Sequence, residues 1–260
     1  VNYFFVLGAR DPEMQEISRV LDAERIQWAS ATASGHTVNS AEAYQATGVS
    51  DLLPRSPRQL VFVECDVLGL EPAEVCDHHN PGDPGYDRQP QEYLQGSSLG
   101  QVLSLLGKEP THEQRIIAAA DHCLTHAYRG ECPGVDPAEL ADWRERSRAA
   151  RFGLTHEEIQ MRIRIATKAL ERAERIKVGE EWVAWFPDKG VAPYELAEAS
   201  ARLGVPIAYI TYLDPQRSPY RAKCGIKNAM PDTVRAWMRD CDLERIYGSP
   251  VRGYASGYAA

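Results

Sequence analysis

Apolar positions along the chain fall into two periods. The run "NYFFVLGA" is continuously apolar and closes on glycine, which predicts a buried parallel strand. In "DPEMQEISRVLDAERI" the apolar residues Met14, Ile17, Val20 and Leu21 recur at helical spacing, and Asp11-Pro12 makes the helix start. A second buried strand is predicted in "RQLVFVECDV", closing on Glu64 and Asp66. "QGSSLGQVLSLLG" reads as a loop entering a helix, and "EQRIIAAADHCLTHAYRG" as one helix carrying Asp121. From Asp136 to about Lys177 the pattern is a charged helical run, with Thr155, Glu157 and Glu158 marking a second helix start inside it. "EEWVAWFP", "YELAEASARLG" and "PIAYITYL" then predict strand, helix and strand, and "RIYGSPVRGYASGYAA" a Gly-rich turn.

Strands alternating with helices imply an α/β fold: a mostly parallel sheet flanked by helices, with a second, smaller α/β lobe joined by a helical connector. The corresponding divisions are residues 1–135, a connector over 136–178, and the smaller C-terminal lobe over 179–260.

Charge narrows the function. Lys and Arg total 29 against 37 Asp and Glu, a formal net charge of −8. That balance argues against a broad surface for duplex nucleic acid, which needs clustered positive charge. A small anionic substrate held at one site by a metal or an arginine remains compatible with it. The cysteines Cys65, Cys76, Cys123, Cys132, Cys224 and Cys241 include no Cys-x-x-Cys pair, so they read as reduced, packed thiols of a cytoplasmic protein. "VNYFFVLGARDPEM" lacks the basic leader and cleavage site of a signal peptide, and no apolar run approaches the ~20 residues of a membrane span. No G-x-S-x-G elbow, P-loop or Rossmann fingerprint occurs.

The densest chemistry is "CDHHNPGDPGY", which sets Asp77, His78 and His79 side by side ahead of a Pro/Gly loop. In an open parallel sheet, ligands collect beyond the carboxyl ends of the strands. Asp11, Asp66 and Asp77 follow predicted strands, and Asp121 lies on a helix that could reach the same crevice. With His78 and His79 these form a mixed oxygen and nitrogen donor set that suits Mn²⁺, or Mg²⁺, Co²⁺ or Fe²⁺, better than a thiolate site. Asp66 or Asp77 could bridge two such ions, and Asp77 and His79 are the candidate catalytic residues. Each acid also has an ordinary reading: Asp11 as a helix cap, Asp121 as a solvated helical carboxylate. The stretch Gly96–Gln101 offers backbone N–H groups at a helix start, either an anion site using Ser97 and Ser98 or a plain loop capped by Ser98. Two basic stretches, "WRERSRAAR" and "YRAKCGIKN", read as solvated faces or as contacts for an anionic substrate.

The triplet resembles the namesake motif of the DHH phosphoesterase superfamily, which includes single-strand exonucleases, nano-RNases, cyclic dinucleotide phosphodiesterases, exopolyphosphatases and pyrophosphatases. The order of an Asp after strand one, an Asp after a later strand, the triplet, and the Asp of "AAAD" is also similar. The resemblance implies metal roles for Asp11, Asp66, Asp77, His78 and Asp121. It places His79 near substrate phosphate, as contact or acid. It further implies a substrate-gripping turn in the C-terminal lobe, where "SPVRGYASG" supplies Arg252, Gly253 and Gly257 in place of the family's Gly-Gly-Gly-His. The first motif departs from the family: "GARDPEM" offers only Asp11 and Glu13.

The expected function is therefore a metal-dependent hydrolase that cleaves a phosphoester or phosphoanhydride of a small phosphorylated or nucleotide-like substrate, with a homodimer left open. The alternative is a non-catalytic nucleotide-binding or regulatory protein on the same scaffold. A metal hydrolase for a carbon–nitrogen bond is a third reading, since the same ligands can activate water for that reaction.

Overall fold

The computed structural model describes residues 3–51, 59–187, 195–213 and 220–260. The protein has a mixed α/β fold with two sheets, each flanked by helices. It divides into two compact units, one running to Arg88 and including Glu92–His122, the other comprising Gln89–Gln91 and everything from Cys123 onward.

The first unit contains β1 (Tyr3–Leu7), α1 (Pro12–Ala23), β2 (Trp28–Ala33), β3 (His36–Thr37), β4 (Gly48–Val49), β5 (Gln59–Val63), β6 (Glu74–Cys76), α2 (Tyr93–Gly96), α3 (Ser98–Leu105) and α4 (His112–His122). Its sheet runs β3-β2-β1-β5-β6, with β4 also on β2. The pairings of β1 with β2, β1 with β5 and β5 with β6 are parallel. Continuous apolar sequence suits β1 because both faces are covered. Phe4, Val6 and Phe62 pack with Ala29, Ala31, Ala43 and Val67 on one face. The alternate residues Phe5, Leu7, Val61 and Val63, also buried, point the other way. Helices α1, α3 and α4 pack on one another, and α3 lies along β6.

The second unit contains α5 (Leu124–Tyr128), α6 (Pro137–Phe152), α7 (His156–Arg172), β7 (Arg175–Val178), β8 (Glu181–Phe186), α8 (Leu196–Leu203), β9 (Ile207–Tyr212), β10 (Ala222–Lys227), α9 (Pro231–Asp240), β11 (Glu244–Ser249) and β12 (Tyr254–Ala259). Its sheet runs β11-β12-β10-β9-β8-β7 and is antiparallel except for β8 with β9. Helices α7 and α8 cover β8 and β9 through Ala166, Leu170, Leu196 and Ala199. On the opposite face Ile226, Val234, Ala255 and Trp237 pack together, which seats α9 there.

Several segments differ from the sequence pattern. The segment read as one helix through Asp121 breaks at Cys123, whose φ of −149° and ψ of 52° are not helical, so α4 and α5 are separate. The charged helical run ends at Arg172, and "RIKV" forms β7 instead. The C-terminal "turn" is mostly the antiparallel pair β11 and β12, with Gly257 inside β12 opposite Cys224. Strands β2, β3 and β4 lack an apolar run and escape the sequence pattern. The start at Thr155 holds as a full capping box with Glu158. All six cysteines are free thiols. Among the described residues, no helix is long and apolar enough to cross a membrane.

Candidate metal centre

Register assembles the site. Leu7 pairs with Val63 and Val63 with Cys76, so β1, β5 and β6 end level. Gly8, Glu64 and Asp77 therefore leave the sheet side by side. Gly8 donates its N–H to Val63 O at 2.9 Å, which holds the first two ends together. Glu64 has φ +49°, so the chain turns sharply there and buries the carboxylate beside the strand ends. Helix α1 adds Glu13 from its first turn, and α4 adds Asp121 near its last.

One ligand atom each from Glu13, Glu64, His78 and Asp121 lies within 4.8 Å of the other three, and Glu64, His78 and His79 satisfy the same limit. His78 is fully buried, with Nε2 3.1 Å from Asp121 Oδ2 and 3.5 Å from Glu64 Oε1. Its Nδ1 is 3.0 Å from Gly96 O and 3.2 Å from His122 Nδ1. A carbonyl only accepts, so Nδ1 carries the proton and the Nε2 lone pair faces the carboxylates. His122 is held in turn by Nε2 at 3.0 Å from Arg88 O. Ser98 Oγ donates to Glu64 Oε1 at 2.8 Å, and Leu99 N donates to Glu13 Oε1 at 2.9 Å.

Electrostatics set the cost of this arrangement. Burial pushes Glu64 up to about 8; His79 opposes that shift, while Asp121, Asp11 and Asp77 add to it. Burial, then Asp121, Glu64 and Asp11, raise Glu13 well above the carboxylate range. Glu13 is 2% exposed, and its Oε2 is buried with no hydrogen-bond partner among the described residues. Like charges converging in a dry space are unfavourable unless a cation joins them. Three carboxylates and one imidazole fit a divalent ion on donor type, donor number and the orphaned oxygen.

Asp77 serves differently from the other acids. Its Oδ1 accepts from the N–H groups of His78 at 2.6 Å and His79 at 3.0 Å, and from His79 Nδ1 at 2.9 Å. Tyr44 Oη donates to its Oδ2 at 2.9 Å. Burial would raise the Asp77 carboxyl, but the hydrogen bonds and charge of His79, then Tyr44 and the His78 N–H, hold it below the usual value. Gln101 clamps the backbone of the triplet, accepting from Asp77 N at 3.0 Å and donating to Asp77 O at 3.1 Å. Asp77 is thus the hub that orients His79, and it lies outside the four-residue cluster. Tyr44 stays protonated, since burial and Asp77 raise its pKa. Tyr44→Phe is expected to cost about 1.5–3 kcal/mol, the value of a hydrogen bond to a charged group. An unchanged urea midpoint would remove Tyr44 from the site.

The other sequence-derived residues are distributed as follows. Asp11 caps α1, accepting from Met14 N at 2.7 Å, close enough to raise Glu13 and Glu64 but outside the cluster. Asp66 is exposed beyond the Glu64 turn, its backbone bonded to Ala43 and Ala46, also outside the cluster. Ser97, rather than Ser98, caps α3 by accepting from Gly100 N, while Ser98 orients Glu64. Both serines are fully buried. In the second unit, Arg252 stacks over Tyr254 at 5.2 Å, Gly253 takes φ +72° in the turn before β12, and Gly257 is a strand residue. Sequence reasoning did not assign Glu64, Glu13, Tyr44 or His122. Glu64, first residue past a buried strand, and Glu13, in a helix first turn, both carried a usable signal.

No protein-family model matches the chain. No curated protein matches it either. Among solved structures, a pGpG-specific phosphodiesterase, PggH from Vibrio cholerae, aligns with 100% of this chain and 94% of its own at 8% identity and a TM-score of 0.42.

Proposed function

We propose that the chain is a divalent-metal-dependent hydrolase of the DHH phosphoesterase type, acting on a phosphoester or phosphoanhydride of a small nucleotide-like substrate. The observation that supports this most is the convergence of Glu13, Glu64, His78 and Asp121 around a buried carboxylate oxygen that no described donor satisfies. These four side chains would hold the ion, with Mn²⁺ first among the candidates for such a mixed oxygen and nitrogen set. A divalent cation supplies charge neutralisation at a phosphoryl oxygen and acidifies a coordinated water.

The remaining steps belong to the protein. Gly96 O and His122 fix the His78 tautomer, and Ser98 fixes the Glu64 rotamer, so the donors are preorganised. His79 is 39% exposed at its side chain, beside Glu64, with Nδ1 on Asp77. In this reading His79 meets the substrate phosphate and donates a proton there, while Asp77 and Tyr44 keep its ring in place.

Metal analysis and phosphate release from a dinucleotide panel test the proposal. Mn²⁺ at about 100 times its Kd is expected to stabilise the fold by about 2.7 kcal/mol, read as a rise in Tm. Phosphate release is expected only with metal present. No thermal shift with Mn²⁺, Mg²⁺, Co²⁺ or Fe²⁺ would overturn the metal site. Tight nucleotide binding without turnover would overturn the enzyme and favour a binding protein.

A further inference from the structure

The second unit brings together two thiols that the metal centre does not use. Cys123 and Cys132 bracket α5 in "CLTHAYRGEC", and their sulfurs lie 3.0 Å apart. Both are free thiols, and both are buried, at 4% and 2% exposure. Other cysteines are placed differently. Cys65 Sγ donates to Val6 O at 3.4 Å and Cys241 Sγ to Met238 O at 3.8 Å, while Cys224 sits half-buried in β10.

The backbone builds this approach. After α5, Gly130 takes φ +73° and Gly134 φ +77°, and the chain folds back between these two left-handed positions. Gly130 N donates to Ala127 O at 3.1 Å and Glu131 N to His126 O at 3.0 Å, which closes the end of α5. His126 Nδ1 meets Glu131 Oε2 at 2.6 Å and braces the same turn. Cys132 is thereby returned to the start of α5, beneath a turn whose Gly130, Pro133 and Gly134 are exposed.

The ordinary reading of such a contact is a weak S–H···S hydrogen bond between packed thiols. Distance and access favour more. At 3.0 Å the sulfurs are closer than the ~3.5–4.0 Å optimum of non-bonded heavy atoms, and about 1 Å short of a ~2.05 Å disulfide bond. Exposed residues flank Cys132 closely in sequence, so an oxidant as small as hydrogen peroxide has only a thin turn to penetrate. Where glutathione keeps thiols reduced, a pair of this kind stays open until an oxidant arrives.

We propose that Cys123 and Cys132 are an oxidation site, a thiol pair that hydrogen peroxide converts into a disulfide closing α5 into a covalent loop. One sulfur attacks a peroxide oxygen: the O–O bond breaks, a sulfenic acid forms, and the thiol proton leaves with the other oxygen as water. The second sulfur then attacks the first: the S–S bond forms, the S–O bond breaks, and the hydroxyl leaves with the second thiol proton as water. The two thiols are oxidised together by two electrons, and the peroxide is reduced to two waters. The closed loop holds the helix that carries Thr125, bonded to Asn228, and Tyr128, bonded to Glu198. The site stands whether or not the first unit holds a metal.

Hydrogen peroxide titration of the full chain in EDTA tests it separately from the metal reading. Remaining thiols are alkylated in denaturant, and the peptides are mapped by mass spectrometry with and without dithiothreitol. The expected product is a Cys123–Cys132 cross-link that dithiothreitol reverses. The oxidised chain should melt about 5 °C or more above the reduced chain, because the cross-link restricts the unfolded state. In Cys132→Ala that difference should vanish, and dimedone should trap a sulfenic acid on Cys123. The map of the unsubstituted chain decides the matter even if the variant does not fold. Cys123 and Cys132 still alkylated at a dose that oxidises the half-buried Cys224 and Cys241 would overturn the proposal. So would equal melting of the oxidised and reduced chains, or a melting difference that survives in Cys132→Ala.

Discussion

Glu64→Gln is expected to weaken Mn²⁺ binding by about 100-fold or more, while Asp66→Asn changes it by no more than about twofold. The amide keeps the shape of Glu64 and can keep the Ser98 hydrogen bond, so the loss is one of charge at the ion. Changes to residues that merely support a ligand already cost about 10- to 100-fold in metal affinity, and Glu64 is itself a donor in the cluster. Asp66 is exposed, and surface substitutions usually stay within about 0.5 kcal/mol. Calorimetric titration of both variants with Mn²⁺ decides the matter, with phosphate release following the same order. If Asp66→Asn proved the damaging change, the buried cluster would not be the metal centre.

Gly8→Ala is expected to damage stability and metal binding together. A Cβ on Gly8 would lie 2.2 Å from Glu64 O and 3.1 Å from Val63 O, and both of these are backbone atoms. Neither can rotate away, so the ends of β1 and β5 must separate. The cost is expected at about 3 kcal/mol, the upper part of the usual overpacking range. The separation moves Glu64 away from His78, so Mn²⁺ should no longer raise the Tm. A folded Gly8→Ala variant with full metal affinity would show that the level strand ends do not set the ligand geometry.

Much of the scaffold was legible in the chain. Strand β1 and the core of β5 are apolar without interruption because helices and loops cover both of their faces, and α1 shows its buried side at helical spacing. Strand β2 was not legible: "WASATA" is built from small residues, and only Ala29 and Ala31 are fully buried. Strand β7 was hidden because "RIKV" continues the charge pattern of α7, and only the extended conformation of Ala173 ends the helix.

The site divides in the same way. Sequence alone located the Asp77–His79 triplet and set Asp121 beside it, and His78 and Asp121 do lie together. Tertiary structure decided which acids converge on His78. A positive φ at Glu64 turns its carboxylate toward His78 and leaves Asp66 in solvent, two residues away. Hydrogen bonding made Asp77 the hub for His79 and Tyr44. Residue type reveals what a side chain can donate or accept. Its direction depends on register, backbone dihedrals and the neighbours that saturate it, and these exist only once the chain has folded.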